Sequence, residues 1–143
     1  DTDFGRIASL ICFDSIYEPL AYDAVRNGAE LIAISTNDSW FNDSSAVYEH
    51  NSHSVLRAVE NGRYIVRAAN TGISSVISPS GEIKDMLPPL VEGQISCDVT
   101  FSDKRTLYSE AGNIIVPFSV FVLAASSVII RMKGKRSNDG HCC

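Results

Sequence analysis

The chain opens with two apolar runs separated by one amphipathic stretch. From Arg6 to Phe13 the run "RIASLICF" is almost continuously apolar or small, as expected of a strand covered on both faces. Asp14 and Ser15, both good helix N-caps, end it. The residues that follow place Ile16, Leu20, Ala24 and Val25 on one helical face, and Asn27-Gly28 supplies a stop. The second run, "AELIAISTN" from Ala29 to Asn37, has strand length, so the three elements predict a βαβ unit with a parallel pair.

Downstream, the polar loop "NDSWFNDSS" precedes a long helix predicted over Ser45–Arg63. Val47, His50, Ser54, Ala58 and Asn61 share one face, Val55, Leu56 and Val59 broaden it, and Gly62 closes it. "RYIVRAAN" and "ISSVIS" read as antiparallel strands around Asn70-Thr71-Gly72. Pro79-Ser80-Gly81 turns the chain toward "EIKDML", and "GQISCDV" is expected as a last strand.

Ala111 to Ile130, "AGNIIVPFSVFVLAASSVII", carries no charge and at about 1.5 Å per residue reaches roughly the ~30 Å of a hydrocarbon core. Its apolar residues lie on all faces, which suits a membrane helix better than an amphipathic surface helix, despite Pro117, Ser119, Ser126 and Ser127. Arg131, Lys133, Lys135 and Arg136 follow, and the positive-inside rule puts that end in the cytoplasm and the preceding domain outside. The expected organisation is one domain over 1–110, a transmembrane helix over 111–131 and a short cytoplasmic tail over 132–143.

At 143 residues with 45% hydrophobic and 20% charged side chains, the composition is that of one globular core, and a net charge of -5 offers nucleic acid no basic field. The start "DTDFGRIASL" has neither an initiator Met nor a signal segment, so the sequence reads as part of something longer. The four cysteines, Cys12, Cys97, Cys142 and Cys143, fit neither a paired C-x-x-C zinc site nor a disulfide framework. The tail "SNDGHCC" cannot close a tetrahedral metal site and is no prenylation box, which makes a disordered tail the expectation. No metal or cofactor is expected.

Candidate chemistry centres on Cys12. A thiol at the passage from a parallel strand to a helix lies near unpaired N–H groups and a helix dipole, both of which stabilise a thiolate. The Phe13 N–H could then receive an oxyanion. A buried core thiol is the competing reading, since free Cys is among the most buried residue types. His50 and His53, with Glu49 beside them, offer a Cys-His pair, but nothing in the spacing turns that helix toward Cys12, so a core or solvated role is the stronger expectation.

Taken in order, "GRIASLICFDS", "GAELIAISTNDSWF", "YEHNSHSVLRAVENGRYIVRAANTGISSVISPSGEI" and "TLYSEAGN" leading into an apolar helix resemble the apolipoprotein N-acyltransferases, the membrane branch of the nitrilase (carbon-nitrogen hydrolase) superfamily. The resemblance implies an α/β fold: the C-terminal half of a nitrilase-type α-β-β-α sandwich followed by one transmembrane helix. It implies a Glu-Lys-Cys triad with Cys12 as nucleophile, the Glu and Lys lying upstream of it and not found in this sequence, so that the chain alone would be inactive and would expose apolar faces or edges. Phe13 and Asp14 become active-site neighbours, Phe13 standing where Tyr is frequent. Asn37, Trp40 and Phe41 become candidates for lining the substrate path, and Glu60 with Arg63 or Arg67 is expected as a structural ion pair. Glu18 interrupts the aromatic-Pro pair in "SIYEPL", which puts that turn in doubt. The implied partners are a phospholipid acyl donor, the N-terminal amine of a lipoprotein as acceptor, and the inner membrane. A soluble-type amidase and an inactive membrane-anchored remnant are the alternatives.

Overall fold

The computed structural model describes residues 2–138, with side chains through Arg131. The first body, residues 1–112, is built on one five-stranded sheet in the order β1-β2-β3-β4-β5, with β1 Ile7–Ile11, β2 Leu31–Asn37, β3 Tyr64–Asn70, β4 Ser74–Ile77 and β5 Ile83–Leu87. The first three strands run parallel, with Leu10 opposite Ile34 and Ile34 opposite Arg67. β3 turns at Asn70-Thr71-Gly72 into β4, and β4 into β5, both antiparallel. The two crossovers carry α1 Glu18–Arg26 and α2 Ser45–Asn61, so the predicted βαβ unit is present and is followed by a second one.

Side chains alternate across a strand, so Leu10, Ile32, Ile34, Ile65 and Ile77 pack into one core with Ala21 and Val25 of α1 and Ala58 of α2. The opposite face of the sheet is less covered. On β1, which is an edge strand, Ile7 is exposed and Ile11 is 67% exposed, as the expectation of open apolar faces requires.

Several boundaries differ from the sequence reading, each for a local reason. β1 stops at Ile11 because Cys12 takes a left-handed φ of 53°, and residues Cys12–Ser15 form a tight 3-10 turn. That turn absorbs both expected caps: Asp14 accepts a hydrogen bond from the Ile11 N–H at 2.9 Å, and the Ser15 hydroxyl donates to the Cys12 carbonyl at 2.9 Å. α1 therefore starts at Glu18, with Pro19 in its first turn where a missing N–H costs nothing. The phase shift buries Ala21 and Val25 and leaves Leu20 exposed.

α2 ends as expected at Gly62, whose φ of 61° is left-handed. Its buried face holds Val47, His50, Asn51, Ser54, Arg57, Ala58 and Asn61, whereas Leu56 and Val59 are exposed. The segment "GQISCDV" is not a strand: neither edge of the sheet, β1 or β5, takes it as a partner, and an unpaired row of N–H and C=O groups defines no strand. Glu60 pairs with Arg57, at 2.8 Å, rather than with Arg63 or Arg67, because i and i+3 are neighbours on a helix. Desolvation raises the Glu60 carboxyl above its ordinary value, Arg57 opposes that shift, and Glu18 adds to it.

A short helix, α3 Leu107–Ala111, closes this body, with the Thr106 hydroxyl accepting from the Ser109 N–H. Arg26 grips its backbone through the carbonyls of Ser109, at 2.9 Å, and Glu110. The Tyr108 hydroxyl donates to Glu18 at 2.6 Å, and burial followed by that bond holds its phenol above the usual value.

The second body, residues 113–143, contains α4 Ile115–Asn138. The expected single helix from Ala111 is broken at Gly112, where φ is 67°, and the helix begins at Ile115. Between Ile115 and Ile130 the uncharged rise is therefore about 24 Å at about 1.5 Å per residue, short of a ~30 Å hydrocarbon core. Among the described residues no helix is long and apolar enough to cross a membrane. The tail cysteines Cys142 and Cys143 with His141 lie outside the described residues.

The core account makes a direct prediction. Ile32 is fully buried on the central parallel strand β2, so Ile32→Ala should destabilise the domain by about 2–5 kcal/mol, measured as a lowered urea midpoint with an unchanged m-value.

Candidate active site

The carboxyl ends of the three parallel strands deliver Cys12, Asn37-Asp38 and Asn70-Thr71 to one edge of the sheet, the place where α/β sheets collect ligands. Cys12 is partly buried and is a free thiol. It lines a cavity of about 320 Å³ with Ile11, Ser35, Thr36, Asn37 and Trp40. Trp40 is 77% exposed at its mouth.

The left-handed backbone at Cys12 is unfavourable for a side chain with a Cβ by about 1–2 kcal/mol and persists only when its neighbours hold it. They do so on both flanks, through Asp14 on the Ile11 N–H and Ser15 on the Cys12 carbonyl. Such a strained bend between strand and turn lifts a side chain out of the sheet edge, as a nucleophile requires.

Beneath the turn lies a buried polar network. The Asp38 carboxylate accepts from Arg67 Nη2 at 2.9 Å and from the Thr36 hydroxyl at 3.0 Å, and lies 2.9 Å from His50 Nδ1. Arg67 also donates to the Ser54 hydroxyl at 3.2 Å and the Ile73 carbonyl at 3.2 Å. Burial lowers the Arg67 guanidinium from its ordinary value, while the charge and hydrogen bond of Asp38, and then the charge of Cys12, oppose that shift. His50 Nε2 lies 3.4 Å from both the Cys12 carbonyl and Ser15 Oγ. Its contact with Cys12 is thus to the backbone oxygen and not a thiol-imidazole pair.

The expected site residues divide as follows. Phe13 stacks on His50, with ring centroids 5.0 Å apart and 17° between planes, and meets Phe41 edge-on at 6.2 Å. Asp14 points back to the Ile11 N–H instead of capping α1. Asn37 and Trp40 share the cavity with Cys12, and Asn70 donates to the Asn37 side chain at 3.3 Å. Phe41 does not line it, packing instead against Phe13 and His50. With Glu49 and His53 these aromatic residues border a separate cavity of about 180 Å³. Among the described residues no group of three or more His, Cys, Asp and Glu is placed to hold a metal ion.

Sequence reasoning missed Asp38 and Arg67 as a pair. A cue was present, since Arg67 interrupts an apolar strand and a charge there must be buried with a partner. Gly72 has a role beyond the turn. A Cβ on it would lie 2.2 Å from Asp38 Oδ2, so the glycine is required by the carboxylate that passes over it.

The carbon-nitrogen hydrolase family model matches residues 1–108. The chain belongs to the carbon-nitrogen hydrolase family. Two curated relatives are the apolipoprotein N-acyltransferases of Geobacter metallireducens, 38% identical over 99% of this chain, and of Thermotoga maritima, 35% identical over 91%. The chain spans about a quarter of the length of each, 26% in both cases. Among solved structures, the carbon-nitrogen hydrolase from Helicobacter pylori superposes with a TM-score of 0.58 at 16% identity, over 64% of this chain and 39% of that one. The C. elegans NitFhit protein gives 0.55 at 26% identity, over 62% and 23%. The sheet and its helices are accordingly a nitrilase-type α/β fold.

The buried pair can be tested by steric and electrostatic means. Gly72→Ala should cost about 1–3 kcal/mol by forcing Asp38 aside, and Arg67→Met about 3–5 kcal/mol by leaving the buried Asp38 carboxylate unpaired. Both would appear as lowered thermal midpoints, and a Gly72→Ala protein as stable as the parent would refute the close approach.

Proposed function

We propose that this chain is the nucleophile-bearing part of an enzyme that moves a fatty acyl chain from a phospholipid to the N-terminal amine of a lipid-modified cysteine in lipoproteins. The carrying observation is Cys12, a free thiol on a strained turn at the carboxyl edge of the parallel strands, within a chain 38% identical over nearly its whole length to an apolipoprotein N-acyltransferase. In the first half-reaction the Cys12 sulfur attacks the ester carbonyl of the phospholipid. A C–S bond forms, the ester C–O bond breaks, and the lysophospholipid leaves with a proton. In the second, the acceptor amine attacks the thioester carbonyl, a C–N bond forms, the C–S bond breaks, and the amine proton goes to a base.

The Phe13 N–H serves as an oxyanion donor and Asp14 holds the turn that presents it. Asn37 and Trp40 line the acyl path, with Phe41 supporting Phe13 from behind. Residues 1–110 are the C-terminal part of the hydrolase-like domain and 111–131 the segment that meets the membrane, with α4 continuing through Asn138. The exposed apolar side chains of α4, among them Phe118, Phe121, Leu123 and Ile129, support contact with lipid, and the basic residues from Arg131 suit the anionic surface of the inner membrane.

In the protein as its gene encodes it, a phospholipid acyl group should be trapped on Cys12 as a hydroxylamine-labile thioester, identified by mass spectrometry. Cys12→Ser should lower turnover by at least about a thousandfold. An acyl group trapped elsewhere, or full turnover in that variant, would exclude the mechanism.

A further inference from the structure

We infer that His50 is a positioning residue for the oxyanion donor: by holding the Cys12 carbonyl from below, it aims the Phe13 N–H at the carbonyl oxygen of the acyl group. The inference rests on Cys12 being the acylated residue proposed above, and it assigns a task to a buried histidine that the acyl-transfer chemistry itself does not use.

The argument begins with the peptide unit. The Cys12 carbonyl and the Phe13 N–H belong to one peptide group, and among the described residues no peptide bond is cis. In a trans peptide the C=O and N–H point in opposite directions within one plane. Whatever fixes the Cys12 oxygen therefore fixes the direction of the Phe13 hydrogen. Two side chains do so, Ser15 Oγ at 2.9 Å and His50 Nε2 at 3.4 Å, both buried. The Phe13 N–H is consequently turned away from His50 and out of the interior.

The direction of these bonds follows from the partners. The carbonyl can only accept, and the single hydrogen of Ser15 is committed to that carbonyl, so both oxygens facing Nε2 are acceptors and Nε2 carries a hydrogen. A donor on the carbonyl also polarises the peptide and strengthens its N–H as a donor, the cooperative effect seen along hydrogen-bonded chains. On the other side of the ring, Arg67 Nη2 donates to Nδ1 at 3.1 Å, and Asp38 Oδ1 lies 2.9 Å from the same nitrogen. The ring cannot rotate without breaking a contact to a fully buried carboxylate. Phe13 completes the clamp, since its ring stacks on the same imidazole whose Nε2 faces the carbonyl preceding it.

The test separates oxyanion stabilisation from thiol reactivity in the protein as encoded, purified in detergent. Acylation of Cys12 by a p-nitrophenyl ester passes through an oxyanion and releases p-nitrophenolate in a burst. Alkylation by iodoacetamide displaces iodide and forms no oxyanion. His50→Phe keeps an aromatic ring against Phe13 but removes the donor. It should slow the burst about tenfold to a hundredfold, less than or comparable to the loss of an oxyanion donor itself, with half-saturating ester concentration and alkylation rate each within about twofold of the parent. His50→Gln, which returns an N–H near Nε2, should recover most of the burst. Ser15→Ala, the smaller change at the same carbonyl, should show the same split to a lesser extent and serves where His50→Phe does not accumulate. An equal fall in burst and alkylation, an unchanged burst, or no recovery in His50→Gln would overturn the inference. If phospholipid transfer is absent while the burst and its dependence on His50 remain, the phospholipid reading alone fails and the positioning role stands.

Discussion

Everything at the sheet edge hangs from one buried carboxylate. Asp38 is almost completely excluded from water and holds Arg67, Thr36 and His50 at once, joining the end of β2 to β3 and α2. An unpaired charge in that position would be strongly destabilising, and a paired one still requires its remaining lone pairs to be occupied. The network meets that requirement with the Thr36 hydroxyl as well as the Arg67 guanidinium, and packs the His50 ring against the same carboxylate. Its rigidity is a consequence of its desolvation, because no water is available to replace a partner that moves.

That rigidity is transmitted to Cys12, the free thiol at the edge. A left-handed Cys12 is an unfavourable backbone state that the turn residues hold by bonds on either side, and His50 stands between the turn and the carboxylate beneath it. The strain costs stability locally and persists because the bonds of the turn hold it in place. Gly72 belongs to the same construction, since only a residue without a Cβ lets the hairpin from β3 to β4 pass over Asp38.

The polar network also explains why one face of α2 looks unusual. A helix packing against a sheet ordinarily buries a stripe of aliphatic side chains, yet α2 buries His50, Asn51, Ser54, Arg57 and Asn61 and leaves Leu56 and Val59 exposed. Arg57 reaches the Ile16 carbonyl at 3.2 Å, just beyond the Cys12–Ser15 turn, and the Ser75 hydroxyl donates to Asn51 at 2.9 Å. The helix is thus a scaffold of directed bonds under the site. Its exposed apolar residues and the open face at β1 fit a chain that spans about a quarter of the length of its relatives.

Local sequence signals were sufficient for the strands, the two crossover helices and the hairpin, because apolar periodicity and Gly or Asn stops act over a few residues and dominate where both faces of a strand are covered. The family resemblance and the place of Cys12 at a strand end were also legible, since the motifs fall in order along the chain. Three things were decided only in three dimensions. The Asp14-Ser15 pair became a 3-10 turn rather than a helix cap, because its oxygens found better donors and acceptors around Cys12. "GQISCDV" formed no strand, because a strand exists only with a partner, and partners are chosen by the whole sheet. Asp38, His50 and Arg67, separated by 12 and 17 residues along the chain, met because burial leaves a charge no choice but to find its counter-charge, and only the packed sheet determines which one lies within reach.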